Sequence, residues 1–284
     1  MSVQQYGAHY QDVPCWELSD SFWERIKLLL PKDKSRFRGR GKARRNIGGR
    51  PAADKRRVVA GILYVLRTGC QWNAAPREVY GSGKTLHRYF QRWERCGVFR
   101  RMWKAGLAEY DEVHGLKLRW QAADGAITKA PLGGDATGPN PTDRGKMGTK
   151  RSLLVEEKGV PISIEIAGAQ RHDMKLLKAT LEAKVPVVVP EQEQHLCLDK
   201  AYAGAEVIAE QAGYIAHIPE KANAKKKKKR KGGRRKARRW VVEVAHSWIN
   251  RFRRLLVRWE KKQSNYLALL HFAFAIICWR KCEV

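Results

Sequence analysis

Acidic residues are scarce in this sequence: 28 Asp+Glu stand against 57 Lys+Arg, leaving a formal net charge of +29 over 284 residues. Self-repulsion of that size opposes a compact state unless a polyanion neutralises it, so nucleic acid is the leading partner and an acidic membrane the second. A metabolic enzyme with a neutral substrate needs no such charge. Cysteine is scarce too. The six residues (15, 70, 96, 197, 278 and 282) form no C-x-x-C and no Cys/His cluster at zinc spacing, which speaks against a zinc knuckle or a disulfide framework and for a reducing cytosol. Long apolar runs are also missing. The stretch 266–279 contains His271 and is shorter than the roughly 20 residues a bilayer needs, and residues 1–11 are polar, unlike a secretory signal. A cytoplasmic protein with no membrane partner is expected.

What is present can fill a core: 43% of residues are apolar and 10 are Trp. Residues 18–30 recur at helical spacing, with Ser19 as cap and Pro31 as stop. The segment 32–51 is basic, Gly-rich and without apolar period, and reads as an arm or solvated loop. Helical faces follow over 52–67 and 84–96, separated by a turn-rich break, which suits a helix-turn-helix module whose second helix enters the major groove. Within the break, GSGKT (81–85) imitates a phosphate-binding loop, but the earlier glycine position is Glu78 and no strand precedes it. No nucleotide site is expected there.

The period changes near Gly115. Residues 118–130 are β-like around Asp124; a Gly/Pro-rich loop spans 131–150; and 152–155 with 161–167 form a hairpin signal, with Ile162, Ile164 and Ile166 on alternate positions. A helix over 172–183, a strand over 195–198 ending in Asp199, a helix over 203–211 and a strand over 214–218 follow. Residues 225–239 hold 12 basic residues in 15 positions and should be disordered until neutralised. A long helix is expected over 240–262, with Val244, Trp248, Phe252, Leu255, Leu256 and Trp259 as its apolar face, and a last apolar helix over 265–280. The expected division is a helical DNA-binding domain, 1–115, and an α/β domain, 116–284, containing the basic segment 221–239.

Candidate polyanion contacts are Lys84, His87, Arg88 and Arg92 on the second helix, Arg144, Lys146 and Lys150 in the Gly/Pro-rich loop, and Lys200 beside Asp199. Lys225, Lys226, Lys227, Arg234, Arg235 and Arg239 in the basic segment, with Arg251 and Arg254 beyond it, complete the set. Acidic residues at strand ends need a separate reason in so basic a chain. Asp124, Asp199 and Glu243 are candidates for a carboxylate cluster, which would repel itself unless two Mg²⁺ or Mn²⁺ ions lay between the side chains. Asp135, Asp143 and Asp173 compete for the first two places and Glu206, Glu220 and Glu260 for the last, and periodicity alone does not choose among them.

Five stretches resemble a known family: GGRPAADKRRVVAGILYVLRTGCQW (48–72), WQAADGAITKAP (120–131), GPNPTDRGKMGTKRSLLVEEKGVPISIEIAGAQRHDMKLL (138–177), HLCLDKAYAG (195–204) and RRWVVEVAHSWINRFRRLLVRWEKKQSNYLALLHFAFA (238–275). They are similar to the transposases of bacterial insertion sequences in the insertion-sequence-five group, which have an RNase H-like DDE catalytic domain. The resemblance implies a mixed sheet flanked by helices, Asp124, Asp199 and Glu243 as the catalytic and metal-holding residues, and Arg239 as the arginine four residues before the glutamate. It further implies cleavage at transposon ends and strand transfer into target DNA by a homodimer on double-stranded DNA, at the bacterial nucleoid. Lys236, Ala201, Val244 and Asn250 depart from the family pattern, which keeps open a catalytically weak relative that binds ends and represses.

Overall fold

The computed structural model describes residues 17–33, 37–38, 45–46, 51–186, 192–219 and 238–283, and the chain divides into two compact units, Met1–Arg101 and Met102–Val284. The first unit opens with α1 (Asp20–Ile26), whose cap Ser19 accepts the Phe22 N–H at 3.3 Å. In the basic arm, β1 (Phe37–Arg38) pairs with β2 (Arg45–Asn46). Two rungs are too short to show a period, so the sequence carries no strand signal there. Helix α2 (Lys55–Thr68) starts where the Asp54 carboxylate accepts the Arg57 N–H at 2.6 Å and ends at Gly69, whose φ of 74° only glycine adopts without strain. The short α3 (Arg77–Tyr80) fills the break, and α4 (Gly83–Arg95) packs on α2 through Leu86, Tyr89, Phe90 and Trp93.

The GSGKT stretch is explained by packing. Ser82 caps α4 by accepting the Thr85 N–H, and a Cβ on Gly83 would run into the Trp72 carbonyl and come within 2.7 Å of the Asn73 Cα. The glycine lets α4 dock on the preceding turn. Gly83→Ala should therefore destabilise this unit by about 2 kcal/mol, measured by urea denaturation; an unchanged midpoint would contradict the packing account.

Helix α5 (Val98–His114) is not among the elements expected from the sequence. Its first turn packs Phe99 on Phe90, and farther along Trp103 lies against Phe274. The second unit is built on a mixed sheet of β3 (Trp120–Lys129), β4 (Gly138–Pro139), β5 (Met147–Val155), β6 (Pro161–Gly168), β7 (Gln194–Cys197) and β8 (Tyr214–His217). Strand β5 pairs antiparallel with β3, β4 and β6, while β3, β7 and β8 run parallel. Helices flank both faces. Arg151 and Ser152 point to opposite sides of β5: the first donates to Asn250 on α8 (Trp240–Asn250), and the second accepts from Thr180 on α6 (Asp173–Glu182). The short α7 (Glu206–Gln211) lies beside β8. The nearly apolar α10 (Gln263–Cys282) packs on α8 and β6.

The helix expected over 240–262 is broken. After α8, Phe252 adopts extended backbone (ψ 96°), α9 (Arg253–Leu256) adds one turn, and Val257 then bridges Lys129 at the end of β3. Arg258 causes the departure. It is 1% exposed and donates to the carbonyls of Asp135, Ala136, Glu260 and Lys261 and to Thr149 Oγ1. No straight helix could bring it there. The buried face of α8 is accordingly Val241, Val242, Ala245, His246 and Ile249, and Leu256 and Trp259 are exposed.

Glu156 occupies the β5–β6 turn, where its Oε1 accepts the N–H groups of Lys158 (2.8 Å) and Val160 (3.0 Å). Burial raises its pKa above the ordinary carboxylate range, against the lowering effect of those bonds. A raised folded-state pKa means that its contribution to stability is complete below the unfolded value and is lost as pH rises through the folded one. Glu156→Gln should thus stabilise the protein at pH 8 and bring no gain at pH 4, read from melting curves. An equal change at both pH values would contradict this assignment.

Candidate active site

Strand β3 is central, bonded to β5 on one side and β7 on the other. Asp124 sits at its middle, and its Oδ1 accepts the following Gly125 N–H at 2.8 Å. The last rungs of the parallel β3–β7 pair join Gln121 to Leu196 and Ala122 to Cys197. Two residues beyond this last rung come Asp124, within β3, and Asp199, just past the end of β7, and both approach the same guanidinium. Asp199 opens the turn after β7, its carboxylate accepting the Lys200 N–H at 2.7 Å. Helix α8 covers the sheet here and brings Glu243 in its first turn.

The three carboxylates meet around one cation. The Arg239 guanidinium lies 3.9 Å from Asp124 Oδ2, 3.5 Å from Asp199 Oδ1 and 3.0 Å from Glu243 Oε1. The side chains of Asp124, Asp199 and Glu243 are 23%, 33% and 56% exposed, so the cluster opens outward from the strand toward the helix. Burial raises the Asp124 pKa, opposed by the Gly125 N–H and Arg239 and reinforced by Asp199 and Asp173. Its negative charge is thus held at a cost that a nearby cation relieves. The adjacent Arg238 turns away, over the Trp120 ring (4.3 Å) and onto Glu157 (2.7 Å).

The competing acids sit elsewhere. Asp173 lies on the opposite face beside Gly125, where a Cβ would collide with its carboxylate, and it is paired at 2.9 Å with Lys150. Asp143 pairs with Lys129, the Asp135 carboxylate accepts the Gln263 N–H, Glu206 is exposed on α7, and Glu260 is buried against Arg254 at 2.8 Å. Glu220 lies outside the described residues.

The candidate polyanion contacts are divided in the same way. Lys84 and Arg88 are exposed one turn apart on α4, while His87 lies tilted against the Trp72 ring and Arg92 donates to the Lys32 carbonyl. Arg144, with φ of 50°, and Lys146 project from the loop before β5; Lys200 and Arg251 are exposed. Lys150 and Arg254 are buried in ion pairs, so neither presents its charge to a partner. Lys225, Lys226, Lys227, Arg234 and Arg235, and the disorder expected around them, fall outside the described residues. His246 is a neighbour that sequence reasoning missed. Its imidazole is buried against the Asp124 backbone and Arg151, and burial lowers its pKa to about 3, so it is neutral. A histidine three residues after Glu243 was the only signal.

Among the described residues no helix is long and apolar enough to cross a membrane. No three His, Cys, Asp or Glu side chains there stand close enough to hold a metal ion as they are placed. The sequence matches a family model described as "Putative transposase of IS4/5 family" over residues 18–103 and one described as "Transposase DDE domain" over residues 118–278. It is 30% identical over 151 residues to "Putative transposase for insertion sequence element IS402" of Burkholderia cepacia, covering 50% of this chain and 68% of that protein. It is also 31% identical over 125 residues to "Insertion element IS402 uncharacterized 16.2 kDa protein" of the same organism, covering 44% of this chain and 80% of that protein. No solved structure matches the chain. With the DDE-domain model spanning more than half its length around a mixed sheet flanked by helices, the chain belongs to the DDE transposases of the IS4/IS5 family.

Proposed function

We propose that this chain binds the ends of a mobile DNA element, hydrolyses a phosphodiester there to free a 3′-hydroxyl, and directs that hydroxyl onto target DNA. The observation that carries this reading is the meeting of Asp124, Asp199 and Glu243 around one guanidinium. The donor set fits a hard divalent cation, since it offers only carboxylate oxygens and already accommodates a positive charge among them. Asp124, Asp199 and Glu243 would hold two Mg²⁺ or Mn²⁺ ions. When bound, such ions supply Lewis acidity for the attacking water or hydroxyl and for the leaving oxygen.

The chain's own residues do the rest. Strand β3 fixes Asp124, and the Lys200 N–H orients Asp199 from the neighbouring strand. Glu243, the most exposed of the three, is brought to them from the first turn of α8 and paired with Arg239 at 3.0 Å. Lys200 and Arg251 are exposed cations suited to phosphates. Helix α4 offers Lys84 and Arg88 to the inverted repeats. Two ends call for two protomers, so a homodimer on double-stranded DNA is the working assembly, in the bacterial cytoplasm at the nucleoid.

The test is a supercoiled plasmid carrying the coding region with its natural flanks, incubated with the protein and Mn²⁺ or Mg²⁺. Nicks mapping to the ends of an inverted repeat support the reading. Specific binding of the flanks with no metal-dependent nick would instead favour the end-binding repressor. A second expectation concerns the basic segment. Neutralising residues 225–230 should weaken binding to all DNA sequences alike and flatten the salt dependence, by about one unit of slope for each phosphate no longer neutralised. An unchanged slope in filter-binding titrations would show that the segment does not touch DNA.

A further inference from the structure

Arg239 is 30% exposed, and each of its ion pairs among the described residues is with Asp124, Asp199 or Glu243. A guanidinium is a planar monovalent cation with five donors, able to face several carboxylates at once. It stands where ions held by these oxygens would have to stand. Guanidinium and divalent ions therefore compete for the same oxygens. Arg239 is also the last residue of the basic segment 225–239 and directly precedes α8.

We infer that Arg239 is an internal counter-cation: it neutralises the carboxylate centre in the metal-free protein and must leave before divalent ions enter. Arg239 is on this account a positioning residue that sets metal affinity. The inference rests on the proposed metal-holding role of the carboxylates, and the two can fail separately. A purely structural arginine, one that anchored the start of α8, would act in the opposite direction, because its loss would loosen Glu243 and weaken metal binding.

The experiment is a Mn²⁺ titration of the full chain without DNA, with free Mn²⁺ read by electron paramagnetic resonance at fixed ionic strength. Arg239→Gln should bind Mn²⁺ at least about tenfold more tightly than the wild type. Arg239→Lys keeps the charge but not the fork, and should gain about threefold; this variant decides the matter if the glutamine variant does not fold. Adding Asp124→Asn should abolish the gain. Equal or weaker binding by both Arg239 variants, with wild-type binding still dependent on Asp124, overturns the inference and leaves the metal reading standing. Binding indifferent to Asp124 in every background removes both.

Discussion

Asparagine in place of Asp124 should lower metal-dependent cleavage of end DNA by about a thousandfold while leaving the protein folded and able to bind that DNA. The two halves of the expectation have different causes. Asparagine keeps an oxygen for the Gly125 N–H that Asp124 now accepts at 2.8 Å, so the strand loses nothing. Burial raises the pKa of Asp124, which means that the ionised carboxylate costs stability at neutral pH and that a neutral isostere relieves the cost. The oxygen-to-guanidinium approach that asparagine gives up is long, 3.9 Å. A residue kept for stability would show the reverse pattern, a lower melting temperature with activity that follows the folded fraction. Cleavage within tenfold of the wild type would contradict the assignment.

Arg258→Met should destabilise the second unit by about 4 kcal/mol, because it strips a buried donor from acceptors that have no water to replace it. The guanidinium bonds Thr149 Oγ1 at 2.6 Å, the Glu260 carbonyl at 2.9 Å, and the Ala136 and Lys261 carbonyls at 3.2 Å each. These belong to three chain segments, strand β5, the loop after β3 and the connection between α9 and α10, the last two meeting so closely that a Cβ on Gly134 would collide with the Lys261 backbone. Methionine fills the volume without the donors. Lysine should not rescue, since three donors on one nitrogen cannot reach acceptors spread around a plane. For a unit of this size the melting temperature should fall by about 10 °C. A fall of under 2 °C in scanning calorimetry would mean that the carbonyls find other partners.

The same arginine shows where local reading fails. The alternation of Ile162, Ile164 and Ile166 maps directly onto β6, and Ser19 announces the start of α1, because caps and strand alternation are set by neighbours in sequence. From 240 to 262 apolar residues keep helical spacing, but the chain leaves the helix to bury Arg258, and nothing local distinguishes a buried arginine from a solvated one. Arg254 and Lys150 mislead for the same reason: each reads as a surface charge and is neutralised inside by an acid, Glu260 or Asp173.

The candidate centre was legible only through resemblance. Asp124 and Asp199 become neighbours because β3 and β7 pair in parallel across a long connection, and that register has no signature in either strand. Asp173 could not be set aside from sequence, since its separation from Asp124 depends on which face of the sheet each occupies. His246 was invisible for a further reason: on a helix expected to present Val244 and Trp248 inward it should have faced solvent, whereas the rotation of α8 buries it.

The most direct test is anomalous diffraction from crystals of the chain with end DNA grown in Mn²⁺. The account predicts manganese peaks held by Asp124, Asp199 and Glu243, with the Arg239 guanidinium displaced from among these carboxylates. Manganese bound elsewhere, with these three carboxylates still gathered around Arg239, would contradict it.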